Sequence, residues 1–133
     1  MKVSVFDVVP RDLNPVIAYQ GEPAGCAIYA GLQSGVELGD TVAVVGVGFA
    51  GQIIAQAVKK MGAWKVIVAD IVDCKLELAR SLGADVAVNP RKEDFVERIL
   101  QETNGVGVDV AIEVGGTTET VQMCTDILKH GGS

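Results

Sequence analysis

Apolar positions along this chain switch between two spacings. Val42, Val44 and Val45 make a short β-branched run, and a glycine turn, Gly46-Val47-Gly48-Phe49-Ala50-Gly51, follows it. From about Phe49 to Met61 the apolar residues Ile54, Ala57, Val58 and Met61 recur at the spacing of one helix face, and Gly62 ends the segment. A second run, Val66 to Val68, stops at Asp70. Asp73 is expected to cap a second helix with a Leu76, Ala79 and Leu82 stripe, and Gly83 to terminate it. Val86–Val88 reads as a third strand closed by Asn89-Pro90. Residues 92–103 read as a third helix, with Phe95, Val96, Ile99 and Leu100 inward and Asp94 placed to pair with Arg98. Val108–Val114 reads as a fourth strand ending in Gly115-Gly116. A last helix from Thr118 to Leu128 turns Val121, Cys124 and Leu128 inward.

Ahead of these units, Pro23 to about Ser34 reads as a helix with Ala24, Ala27, Ile28 and Leu32 on its apolar side, and residues 35–40 as a turn. Residues 1–21 read as an irregular N-terminal arm, punctuated by Pro10, Asn14 and Pro15, with one short strand at Val3–Val9. Four strand–helix units in alternation predict an α/β fold: a Rossmann-type, doubly wound parallel sheet of order 3-2-1-4 over residues 22–133. Because no strand follows the final Gly-Gly, the sheet is expected to be truncated. Its fourth strand would be an exposed apolar edge open to homo-oligomer pairing, and the chain a piece or a reduced descendant of a larger enzyme.

The stretch from Gly46 to Asp70 carries the candidate chemistry. Strand, glycine turn, helix, strand and then an acid about 20 residues on is the fingerprint of a dinucleotide-binding βαβ unit. Gly46 permits a sharp turn with positive φ, Gly48 leaves room for a pyrophosphate against the backbone, and Gly51 lets the helix pack closely. The helix N-terminus offers unpaired N–H groups to the phosphates. Asp70 can accept both hydroxyls of an adenosine ribose and repels a 2′-phosphate. Ile71 and Val72 follow it with no Arg or Ser, so NAD is expected over NADP.

Composition narrows the field. At 133 residues, 49% hydrophobic and 21% charged, the chain is globular, and its net charge of −6 disfavours nucleic acid and anionic membranes. The uncharged stretch 41–58 is broken by glycines and glutamines and does not read as a membrane span. With no secretory signal and no C-x-x-C pair among Cys26, Cys74 and Cys124, a cytoplasmic protein with reduced thiols is expected. His130, the single histidine, reads as an exposed residue at a helix C-terminus.

Further segments fall in a telling order: Glu22-Pro23-Ala24-Gly25-Cys26, GVELGDTVAVVGVGFAGQ, VADIVDCKLELARSLGADVAVNP, GVGVDVAIEVGG and LKHGGS. From Glu22 to Ser133 the chain resembles the cofactor domain of the medium-chain, zinc-dependent alcohol dehydrogenases, especially the polyol and threonine dehydrogenase branch. The resemblance implies that Gly46, Gly48, Phe49, Ala50 and Gly51 form a pyrophosphate cradle, that Asp70 and Lys75 meet the adenosine ribose, and that Val114 and Gly115 lie beside the cofactor. It implies that Glu22 lies near the catalytic zinc. In the intact family, zinc lowers the pKa of a bound small-molecule alcohol and hydride passes to NAD. The zinc ligands of the family's catalytic domain and its structural cysteines have no counterpart here, so the chain is expected to supply the cofactor half only. Two other classes share the glycine turn and acid: a regulatory NAD-sensing domain and an S-adenosylmethionine methyltransferase. The first lacks the E-P helix and LGAD…NP segments, and the second normally ends in an antiparallel hairpin absent here.

Overall fold

A computed structural model describes residues 12–133. The expected strand at Val3–Val9 lies outside them. Within the arm, Pro15–Tyr19 forms a short helix, α1, where irregular chain is expected; Asn14 caps it by accepting from the Val16 amide at 2.9 Å. Then follow α2 (Gly21–Gln33), β1 (Thr41–Val45), α3 (Phe49–Met61), β2 (Lys65–Ala69) and α4 (Asp73–Ser81). The chain closes with β3 (Val86–Val88), α5 (Phe95–Glu102), β4 (Val110–Glu113) and α6 (Thr118–Ile127).

The four strands form one parallel sheet in the order β3-β2-β1-β4, as the alternating pattern predicts. Its two faces explain the near-continuous apolar runs. Val42, Val44, Val66 and Val68 point into a core shared with α3 and α4, while Ala43, Val45, Ile67 and Ala69 point into one shared with α5 and α6. Register places the strand ends in a row: Val45 pairs with both Ala69 and Glu113, and Ala69 with Val88. Gly46, Asp70, Asn89 and Val114 therefore leave the sheet along one line.

Several expected faces differ in detail. On α2 only Ala27 and Gly31 are buried, and Ile28 and Leu32 are exposed. Gly31 lies against α3, where a Cβ on it would stand 3.4 Å from the Ala57 Cβ. On α6 the inward residues are Cys124 and Ile127, and Val121 is exposed. Asp73 is the first residue of α4 and not its cap; its carboxylate instead accepts from Asn89 and Lys92. Asp94 caps α5 by accepting from the Glu97 amide, which leaves Arg98 to pair with Glu93 and Glu102. The β4 edge is partly engaged: the Ala111 amide donates to the Ser133 carbonyl at 2.8 Å, and the Ser133 amide to Asp109 at 3.0 Å. Among the described residues, no helix is long and apolar enough to cross a membrane.

Candidate functional site

A cleft of about 400 Å³ opens at the carboxyl ends of the strands. It sits where the sheet order reverses, with β1 between β2 and β4, which is the switch point at which open α/β sheets take ligands. Gly46 and Gly48 form its floor. Asp70, Ile71 and Lys75 line one side with Pro90 and Arg91, and Val114, Gly115, Thr117 and Thr120 line the other.

The three glycines of the turn have three different reasons to be glycine. Gly46 has φ +95°, and a Cβ on it would lie 2.7 Å from the Gly115 amide nitrogen. Gly51 sits under the turn itself: a Cβ there would collide with the Gly46 carbonyl oxygen, so the close approach is to the turn more than to the strand. Gly48 has neither constraint. Its φ is −68°, and a Cβ would meet nothing within 4 Å. The fold thus leaves open space over the one glycine that faces the start of α3. That helix has no side-chain N-cap and no acid in its first turn, so its free amides meet no competing carboxylate there.

Asp70 is tied down by the same turn. One carboxylate oxygen accepts from the Val47 amide at 3.0 Å, the other from the Val72 amide at 2.9 Å, and the Lys75 ammonium lies 3.7 Å away. Each oxygen keeps a lone pair for a further donor. Gln52, buried on α3, braces the arrangement from behind by donating to the carbonyls of Val47 (3.2 Å) and Lys75 (2.8 Å).

Opposite, Glu113 at the end of β4 accepts from the Thr120 hydroxyl at 2.6 Å and from the Gly116 amide at 2.7 Å. The Thr120 bond, with the backbone amides of Gly115 and Gly116, holds its carboxyl below the usual range against a burial effect of opposite sign. Thr117 and Thr120 form a reciprocal capping box on α6. Together they set the Gly115-Gly116 turn against Gly46.

Of the residues singled out from sequence, Gly46, Gly48, Asp70, Lys75, Val114 and Gly115 meet in this cleft, and Phe49, Ala50 and Gly51 build the helix start beneath it. Glu22 does not join them. It lies exposed in the first turn of α2, accepting from the Cys26 thiol at 3.1 Å, which raises the thiol's pKa. Thr117, Thr120 and Arg91 lie outside the segments that carry a motif, and Gln52 and Pro90, at the ends of two such segments, have no site role that spacing alone assigns. The Asn89-Pro90 turn joins the loop after β3 to the loop after β2, Asn89 donating to the Ile71 carbonyl and to Asp73. Among the described residues, no three His, Cys, Asp or Glu side chains converge as metal ligands, and two donors at Glu22 and Cys26 fall short of the three or four that zinc takes. Zinc does not fit the described residues.

The family model described as zinc-binding dehydrogenase matches residues 50–133. Sorbitol dehydrogenase of Bacillus subtilis is 34% identical over 99% of this chain and 37% of its own length. L-threonine 3-dehydrogenase of Bacillus velezensis is 32% identical over 92% of this chain and 35% of its own. A protein classed with the zinc-binding dehydrogenases, from Sinorhizobium meliloti 1021 and bound to NADP, superposes with a TM-score of 0.84 at 36% identity, covering 93% of this chain and 37% of that one. The chain therefore spans a little over a third of the length of the relatives it matches.

Proposed function

The chain belongs to the zinc-binding dehydrogenase family, and from that membership we propose that its cleft holds the adenosine diphosphate part of a nicotinamide dinucleotide, NAD by preference. Gly48 carries this reading. The fold makes no demand for glycine there, whereas a pyrophosphate lying on the backbone and the α3 amides does. In the same reading Phe49, Ala50 and Gly51 supply the helix N-terminus, and Asp70 receives the ribose hydroxyls on its spare lone pairs with Lys75 beside it. Val114 and Gly115 border the cofactor on the β4 side.

When bound, such a dinucleotide supplies a hydride acceptor for a small-molecule alcohol. This chain's residues bind and orient it: the glycine turn sets the phosphates, Asp70 the ribose, and the Thr120–Glu113 pair the opposite wall. Alcohol or polyol oxidation is the proposed activity of the intact protein, with zinc and substrate groups drawn from sequence beyond the third of the relatives' length matched here. Glu22 is proposed to lie near that zinc, without being sufficient to bind it. The outer edge of β4 beyond Ser133 is proposed to accept a further strand, from a second copy or from an extension of the sheet. The regulatory sensor and methyltransferase alternatives are not favoured by the family match.

The test is calorimetric titration of NADH into the chain and into Gly48→Ala. Native-like folding with lost NADH binding in the variant is expected. Equal NADH affinity in both proteins would overturn the reading.

A further inference from the structure

The cleft holds a cation that no motif announces. Asn89 is buried and links two loops: its Nδ2 donates to the Ile71 carbonyl at 3.3 Å and to Asp73 at 2.8 Å, and its Oδ1 accepts from the Arg91 amide at 3.1 Å. This pins the backbone of Arg91 beside the segment that follows Asp70, and both residues line the same side of the cleft. The neighbouring Lys92 is spent on Asp73 at 2.6 Å. Among the described residues, the Arg91 guanidinium has no carboxylate partner and no hydrogen bond, although it is exposed.

Charge at this end of the cleft therefore differs from what Asp70 alone implies. Two carboxylates line the cleft, Asp70, already held by two amides, and Glu119 at the start of α6, with two cations, Lys75 at 3.7 Å from Asp70 and Arg91. A guanidinium fork matches a phosphate monoester bidentately, which a lone ammonium does not. Resting on the dinucleotide reading above, we propose that Arg91 is a specificity-determining residue: it offers its guanidinium to a phosphate on the adenosine ribose and so sets how far the chain discriminates between NADH and NADPH. Asp70 opposes that phosphate and Arg91 attracts it, so NADPH binds measurably, more weakly than NADH.

The experiment is titration of NADH and NADPH into the chain, Arg91→Ala and Arg91→Lys at low and moderate salt. Loss of a charged hydrogen-bonding partner predicts that Arg91→Ala weakens NADPH by about 10- to 100-fold. NADH should fall by less than about threefold, Arg91→Lys should restore part of the NADPH loss, and the NADPH arm should be the more salt-sensitive. Equal weakening of both nucleotides would mean stacking on the adenine or a structural role, and would overturn the proposal. Native chain that binds NADH but not NADPH would also overturn it, as would an Arg91→Ala variant unchanged toward NADPH. Failure of the native chain to bind either nucleotide would instead sink the dinucleotide reading, and this inference with it.

Discussion

The amide of Val47 donates to the carboxylate of Asp70 at 3.0 Å, joining the glycine turn after β1 to the acid after β2. The bond spans 23 residues of sequence, and it makes the acid part of the turn's own architecture. Asp70→Ala would strand the amide of buried Val47, whereas the exposed Val72 amide can turn to water. Thermal or urea unfolding should show a loss of about 1–3 kcal/mol for such an unsatisfied donor, along with weaker NADH binding. A variant that keeps native stability would show that these bonds carry no weight.

Gly46→Ala and Gly51→Ala should both destabilise the fold, unlike Gly48→Ala. At Gly46 the positive φ alone costs a Cβ-bearing residue about 1–2 kcal/mol, and the contact with Gly115 adds to it. At Gly51 the Gly46 carbonyl must move. Denaturation midpoints for the three variants would rank them, and a Gly48→Ala protein as unstable as the other two would contradict the assignment.

Stability should fall in acid through carboxylates that bridge elements. For Asp109, burial pushes the pKa up, but the Lys129 ammonium and the Thr41 amide outweigh it and hold the group below its ordinary value. The Lys65 ammonium, followed by Arg98, does the same for Glu102 against its own burial, and Thr120 for Glu113. A carboxylate with a lowered folded pKa contributes its full stabilisation above the unfolded value, about 4, and loses it as pH falls through the lower folded one. Little change is expected from pH 7 to about 5, then a steady decline below about 4. Asp109→Asn should start less stable at neutral pH and converge on the native chain in acid; parallel curves would rule Asp109 out.

Exposed Cys26 should react with an alkylating reagent before buried Cys124. Burial, with Glu113 nearby, pushes Cys124 up to about 11, so it stays protonated and shielded until the chain unfolds. Cys26 is exposed, but its hydrogen bond to Glu22 raises its pKa, so Glu22→Gln should speed its alkylation at mildly alkaline pH. Mass-mapped rates that do not change in this variant would remove Glu22 as the cause.

Ile99 and Val121 test the burial assignments on α5 and α6. Ile99 is fully buried between the sheet and α6, and Ile99→Ala should cost about 2–5 kcal/mol. Val121 is 52% exposed, and Val121→Ala should stay within about 0.5 kcal/mol. Unfolding midpoints check both, and a large loss at Val121 would restore the inward face that helical spacing alone assigns to it.

Element order, strand order and the Gly46-to-Asp70 fingerprint were legible because each rests on local chemistry: β-branched runs, helical spacing and glycine tolerance for positive φ. What misled were positions where several apolar residues competed for one face. Ile28 and Leu32 stay exposed on α2, whose buried residues are the small Ala27 and Gly31. Asp73 is drawn from capping α4 by Asn89 and Lys92 of another segment, whereas Asp94 caps α5 within its own segment, where Glu93 and Glu102 take up Arg98.

The chain's own residue pattern determined a parallel, doubly wound sheet and a glycine turn followed by an acid, since period and turn geometry are properties of short stretches. Only the tertiary structure decided that Gly48 alone of the three glycines is free of the fold, and that Asp70 is already held by two amides. It also decided that Arg91 stands with Asp70 in one cleft. The physical reason is register: parallel pairing aligns the carboxyl ends of strands far apart in sequence, so the site is assembled from loops that no local pattern connects.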